Sequence, residues 1–167
     1  MAELETQREP APRNDDGERD TTLAFLAFAR HSVLKKVEGL ADDQLRRRLV
    51  VSDTTLLGLL QHLVDGERYW FGHVVGGDPR WAEVDFSMVV PDDRTGADLV
   101  ADYRAAIAES DRHLAAAGSW DDQVAAPPDD ERRWSVRWVV AHMTSEVARH
   151  AGHADILREQ IDEVTGR

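Results

Sequence analysis

The last third of the sequence places three histidines and one glutamate on one side of a predicted helix. At about 100° per residue they fall within roughly 80° of one another. These residues are His142, Glu146, His150 and His153. Imidazole and carboxylate groups one turn apart are suitable metal ligands. With a rise of about 1.5 Å per residue, His142 and His150 are too far apart to share an ion, and so are Glu146 and His153. The spacing therefore leaves two compact pairs open, Glu146 with His150 and His150 with His153.

One helix cannot complete the coordination sphere of a metal, so a facing helix must supply a further ligand. His62 is the best candidate, because it interrupts an apolar run from Leu59 to Val64. Two histidines and one glutamate would leave a fourth position open, as in catalytic zinc sites. The competing interpretation is that His62 packs in the core and that Glu146 is a surface carboxylate. The spacing alone does not separate these two interpretations.

Four amphipathic segments are predicted to position these residues. They run from about Asp20 to Val37, from Ser52 or Asp53 to Gly76, from Thr95 to Gly118, and from Ser135 to about Val164. Longer connections, residues 78–94 and 119–133, join the last three segments. No segment of comparable length alternates with a period of two, as a half-buried strand would. The sequence therefore predicts an all-α four-helix bundle.

The predicted domain organisation is a single bundle over residues 20–167, preceded by a flexible tail over residues 1–19. The tail is polar and contains Pro10, Pro12 and Gly17 among charged residues, a composition typical of disorder. A chain of 167 residues is long enough for one domain with its own core.

The overall charge and the absence of cysteine narrow the functional classes. A net charge of −12 repels phosphate backbones and anionic lipids, so neither a nucleic acid nor a membrane is an expected partner. The sequence has no long apolar span, and its start lacks the pattern of a secretory signal, so a cytoplasmic protein is expected. The chain has no cysteine, and a thiol used in its chemistry must arrive with a ligand.

Two stretches of the sequence resemble the DinB superfamily. The first is LLGLLQHL followed by ERYWF, over residues 56–71, and the second extends from WSVRW to EVARHAGHADILRE, over residues 134–159. They are similar to an actinobacterial branch labelled as a domain of unknown function, close to the mycothiol-dependent maleylpyruvate isomerases. The resemblance covers nearly all of the chain after about Asp20, and it implies a DinB-like four-helix bundle.

The resemblance also implies which residues hold a metal. Members of this superfamily use a histidine of the second helix and two ligands one turn apart on the last helix, which are Glu and His in the isomerase type. By position these ligands are His62, Glu146 and His150, and the expected ion is Zn²⁺ or another divalent metal such as Ni²⁺. His153 stands where many relatives have glutamine. We therefore expect His153 to be a catalytic group beside the ligands, which accepts the thiol proton or orients the electrophile.

Several superfamily members are transferases or isomerases that use mycothiol or bacillithiol. The function expected from the resemblance is therefore a metal-dependent transferase or isomerase that activates mycothiol, or a similar small thiol, toward a small electrophile. A second copy of the chain, in a homodimer, is a further candidate partner. Two alternatives remain open at this point: a non-catalytic metal-binding stress-response protein, and a hydrolase in which the metal activates water.

Overall fold

The computed structural model describes residues 9–165, and most of them are helical. The α-helices are α1 (Gly17–Val37), α2 (Asp42–Leu45), α3 (Leu56–Glu67), α4 (Gly96–Ala116) and α5 (Val136–Asp162). Helix α3 continues as a π-helical segment, Arg68–Val75, and a short 3-10 turn follows at Pro79–Trp81. Residues 9–165 contain no β-strand, only an isolated bridge between Gln123 and Ser135. The predicted all-α bundle of four long helices is confirmed, with α2 as a short addition.

Two of the predicted helix starts are confirmed by their capping hydrogen bonds. The Thr95 hydroxyl accepts from the backbone N–H of Asp98, and the Asp98 carboxylate accepts from the backbone N–H of Thr95. The Ser135 hydroxyl accepts from the backbone N–H of Trp138 at the start of α5. These bonds satisfy donors that the first turn of a helix leaves unpaired.

The predicted start of the second long helix, at Ser52 or Asp53, is wrong by a few residues. Thr55 is the N-cap of α3, and its hydroxyl accepts from the backbone N–H of Gly58 at 2.9 Å. Ser52 is engaged elsewhere, because its carbonyl accepts from the Arg48 guanidinium at 2.9 Å. Asp53 forms an ion pair with the same arginine. These contacts stabilise a bend before the helix begins.

The helices pack as two pairs around one apolar core. Helix α1 lies mainly against α5, and α4 lies mainly against α3 and its π-helical continuation. A buried ion pair also crosses the core, since Arg30 of α1 donates two hydrogen bonds to Glu67 at the end of α3. No helix in the described part of the chain is both long and apolar enough to cross a membrane.

The predicted N-terminal tail lies partly outside the described residues, which begin at residue 9. Residues 9–16 have no regular secondary structure, and α1 begins at Gly17 rather than at Asp20. Glu9 lies against α1, where its carboxylate accepts a hydrogen bond from Lys35 at 2.9 Å. The flexibility of residues 1–19, and the domain boundary after them, stay predictions.

The connection between α3 and α4, residues 78–94, lies across α3 and is called the crossover below. A Cβ atom on Gly72 would come within 2.7 Å of the Trp81 side chain, and one on Gly58 within 2.5 Å of the Met88 carbonyl oxygen. Only glycine permits such close approaches at these two positions. The crossover is thereby held against α3 on one side of Phe86 and against its π-helical continuation on the other.

Candidate metal centre

Helices α3 and α5 bring together the three residues predicted as metal ligands. One ligand atom each from His62, Glu146 and His150 can be chosen so that all three lie within 4.8 Å of one another. The ring centroids of His62 and His150 are 4.9 Å apart. Of the two pairs that the helical spacing left open, it is Glu146 with His150 that lies beside His62.

In His62 and His150, the Nδ1 atom lies on the outer side of the ring and has a partner. The Nε2 atom of each ring is therefore left to face the candidate metal position. The Nδ1 of His62 lies 3.1 Å from the carbonyl oxygen of Phe86. A carbonyl can only accept, so this Nδ1 carries the proton and Nε2 has the free lone pair. In His150, Nε2 lies 3.3 Å from Glu146 Oε2, while Nδ1 faces the Nδ1 of His153 at 3.4 Å. Metal-binding histidines typically have their second nitrogen engaged in this way.

The electrostatics of the site favour unprotonated ligand atoms. Burial lowers the pKa of His150 to about 4, and the neighbouring His62 acts in the same direction, against the opposite effect of Glu146. Burial raises the pKa of Glu146, but the hydrogen bond and the charge of Arg149 outweigh it, so the pKa of this carboxyl is lowered overall. At neutral pH His150 is therefore neutral and Glu146 is ionised, which are the forms that bind a metal.

The three residues lie at the wall of a cavity of about 490 Å³. The other lining residues are Leu63, Gly66, Tyr69, Trp70, Phe86, Met88, His142, Met143 and Arg149. His142 shares the helix face of Glu146 and packs against Trp70, with ring centroids 4.7 Å apart. Burial lowers the pKa of His142, so its ring is neutral at neutral pH. The cavity has room for a small molecule beside an ion.

His153 lies outside this cavity, on the far side of His150. It lines a separate cavity of about 280 Å³ together with Val50, Ser52, Thr54, Ile156 and Leu157. Its observed contact is with the His150 ring, at 3.4 Å between the two Nδ1 atoms. The predicted catalytic action of His153 on a thiol stays a prediction, and its position favours an action through His150.

Four residues that shape the site were not predicted from the sequence. Phe86 and Met88 reach it from the crossover, while Tyr69 and Trp70 come from the π-helical segment. Two features of the sequence could have indicated these residues. They are the aromatic cluster Tyr69-Trp70-Phe71 and the length of the crossover, since long connections in compact domains are often functional. Phe71 is fully buried in the core, whereas its two neighbours line the cavity.

Comparison with known protein families identifies one family that matches the chain. A family model described as Mycothiol-S-transferase matches residues 21–163. No curated protein and no solved structure was found to match. The match agrees with the DinB-type resemblance of the sequence. It covers most of α1, all of the other three long helices and all three candidate ligands. The chain belongs to the mycothiol-S-transferase family, a DinB-like family.

Proposed function

We propose that this protein is a metal-dependent transferase that joins the sulfur of a mycothiol-type thiol to a small electrophile. The observation that carries the proposal is the group formed by His62, Glu146 and His150, whose ligand atoms lie within 4.8 Å of one another at the wall of a roomy cavity. The family match supplies the class of thiol. The absence of cysteine from the chain agrees with a sulfur nucleophile that arrives with the co-substrate.

The donor set fits a divalent transition metal. Two imidazole nitrogens and one carboxylate oxygen suit Zn²⁺, and imidazole ligands suit Ni²⁺ as well. His62 and His150 would bind through Nε2, because the Nδ1 atoms face Phe86 and His153. Glu146 would bind through Oε2, since its Oε1 accepts a hydrogen bond from Arg149. Three protein ligands leave a position for a further group, as in catalytic zinc sites.

A divalent metal held by these three residues would lower the pKa of a coordinated thiol and favour the nucleophilic thiolate form. The side chains that line the cavity would exclude water from the sulfur and orient the electrophile. Leu63, Met88 and Met143 provide an apolar surface that displaces water from the sulfur. Aromatic rings and one arginine on the remaining walls would orient the electrophile.

Cobalt substitution tests the proposal directly. We would load the full chain with Co²⁺ and titrate it with mycothiol, cysteine and N-acetylcysteine while recording the near-ultraviolet spectrum. A thiolate that ligates cobalt produces a sulfur-to-metal charge-transfer band, which we expect to saturate with mycothiol at the lowest concentration. The His62→Ala variant should bind less cobalt and should show no such band.

Two other results would point to different functions. Full cobalt binding without a charge-transfer band for any thiol would reject the transferase and favour a metal-assisted hydrolase or a non-catalytic metal-binding protein. A band that saturates at the same concentration of every thiol would support thiol ligation but reject the specificity for mycothiol. Undiminished cobalt binding by the His62→Ala variant would reject the ligand assignment.

A further inference from the structure

The cavity beside the candidate ligands has an aromatic wall. We use this name for Tyr69, Trp70, Phe86 and His142. The Tyr69 ring lies 5.1 Å from Trp70 and 5.4 Å from Phe86, measured between centroids, in edge-to-face geometry. His142 closes the wall against Trp70 at 4.7 Å. Rings that already contact each other at such distances present ordered faces and edges to a planar ligand.

Few charged side chains line this cavity. Apart from histidines and Tyr69, Glu146 and Arg149 are the ionisable side chains that line it. They neutralise each other, because the Arg149 guanidinium donates to Glu146 Oε1. The Arg149 side chain is 60% exposed, and only one of its five N–H donors is used in this pair. The remaining donors are available at the rim of the cavity.

The charge balance changes when the site is loaded as proposed above. A divalent ion carries two positive charges, and Glu146 together with a thiolate carries two negative charges, so that these three sum to zero. The positive charge of Arg149 is then left without a counter-charge among the lining residues. An anionic group on the incoming molecule would restore neutrality, and a guanidinium fork matches the geometry of carboxylates and sulfonates.

We infer that Arg149 recognises an anionic group of the electrophile, while the planar apolar part of that molecule lies against the aromatic wall. This inference rests on the proposed function for the identity of the ligand as an electrophile. The substrate class is therefore an aromatic electrophile that bears a carboxylate or sulfonate. In the transfer itself, the thiolate sulfur forms a bond to the electrophilic carbon, and the leaving group departs with the electron pair of the bond that breaks.

Binding of unreactive probes tests the inference without turnover. We would saturate zinc-loaded protein with mycothiol and titrate it with benzenesulfonate and with its neutral analogue methyl phenyl sulfone, using calorimetry. The wild type should bind the sulfonate about tenfold more tightly than the sulfone, as one charge-assisted contact predicts. The Arg149→Gln variant should lose this preference but retain sulfone binding and zinc. The matched control is Arg137→Gln, on the same helix outside the cavity, which should retain the preference.

A reaction series extends the test to the electrophile. With saturating thiol, 4-(bromomethyl)benzenesulfonate should react with a higher kcat/KM than benzyl bromide, each by C–S bond formation with loss of bromide. This ratio should fall toward one in Arg149→Gln.

Three results would overturn the inference. They are equal binding of the two probes by the wild type, equal weakening of both probes in Arg149→Gln, and loss of zinc from that variant, which would mean that Arg149 acts only by holding Glu146. A sulfonate preference that depends on Arg149, in a protein that shows no thiol band, would instead reject the proposed transferase and leave Arg149 as an anion-binding residue.

Discussion

At the scale of single residues, the candidate centre depends on what the outer nitrogens of its histidines contact. His62 donates from Nδ1 to a carbonyl of the crossover, and His150 turns its Nδ1 toward His153. A ring that is fixed through one nitrogen presents the other in a defined direction, which raises its affinity as a ligand. We therefore expect the two histidines of α5 that follow Glu146 to have different roles, although both belong to the same helical stripe.

Alanine substitution of His150 and of His153 should distinguish these two roles. We expect His150→Ala to abolish zinc binding, because it removes one of the three proposed ligands. His153→Ala should keep the zinc but weaken its affinity by about tenfold or somewhat more, as the loss of an orienting contact usually does. Elemental analysis of protein prepared without a nickel column, combined with competition against a chelator, measures both quantities. Zinc retained by His150→Ala but lost by His153→Ala would reject the assignment.

The pKa of His150 predicts how the stability of the metal-free protein depends on pH. In the folded chain this pKa is lowered to about 4, chiefly by burial, from an ordinary value of 6.5. Between these two values the unfolded chain binds a proton that the folded chain does not, so the free energy of unfolding falls as pH decreases from 6.5 to 4. Through His150 alone the loss should amount to about 2–3 kcal/mol.

Urea denaturation of the metal-free wild type and of His150→Gln at pH 7 and pH 4.5 measures this contribution. Both proteins will lose stability through other groups, and the difference between them isolates His150. We expect the variant to lose less unfolding free energy over this interval. Identical losses in the two proteins would show that burial does not hold His150 in its neutral form.

The candidate ligand set could be proposed from the sequence because each part of it left a local pattern. Glu146 and His150 are one helical turn apart, and His62 interrupts an apolar run. Their meeting in space, however, depends on the packing of α3 against α5, which the resemblance to the DinB superfamily supplied. Phe86 was not predictable, since it reaches His62 with a backbone carbonyl, and a carbonyl leaves no trace in the residue type.

At the scale of elements, the helices were easier to predict than the segments between and beyond them. Thr95 and Ser135 are good caps in the right context, and they begin helices as predicted. The π-helical segment after Glu67 was not predicted, because no residue type specifies a π-helix. Such segments are rare and frequently lie at functional sites. Here the segment carries Tyr69 and Trp70 at the cavity and Phe71 in the core.

The crossover should be sensitive to any side chain at Gly58. A Cβ atom there would meet the Met88 carbonyl oxygen at 2.5 Å and Met88 Cβ at 3.0 Å, so the crossover must move away from α3. We expect Gly58→Ala to cost about 1–3 kcal/mol of unfolding free energy, in the range of overpacked sites. It should also weaken zinc binding, because Phe86 would lose its position beside His62.

Gly152→Ala is the matched control. Gly152 also lies in a helix, but a Cβ there would meet nothing within 4 Å. In an open helical position alanine is favoured over glycine by about 0.5–1 kcal/mol, so this variant should be slightly more stable than the wild type. Urea denaturation and zinc competition compare the pair. Equal stabilities of the two variants would mean that the crossover does not press on α3.

At the scale of the whole molecule, two ion pairs that share the buried Arg30 link three of the four long helices. Arg30 of α1 bonds to both oxygens of Glu67, at 2.7 and 2.6 Å, and to Asp111 of α4 at 2.8 Å. Glu67 is 0% exposed and Arg30 is 4% exposed. The burial of this arginine is hard to predict from its residue type, because charged residues usually face solvent and its partner Glu67 comes from another helix.

Glu67→Ala should therefore destabilise the protein by about 3–5 kcal/mol, because it leaves the Arg30 guanidinium buried beside a single, largely exposed carboxylate. The double variant Arg30→Met/Glu67→Leu removes both charges at similar volume, and it should regain most of that loss. Neither residue lines the candidate metal cavity, so the folded double variant should keep the zinc content of the wild type. Urea denaturation of the metal-free proteins gives the three stabilities. If the double variant is as unstable as the single one, the ion pair itself is a net source of stability, and the bundle depends on it rather than on apolar packing at this position.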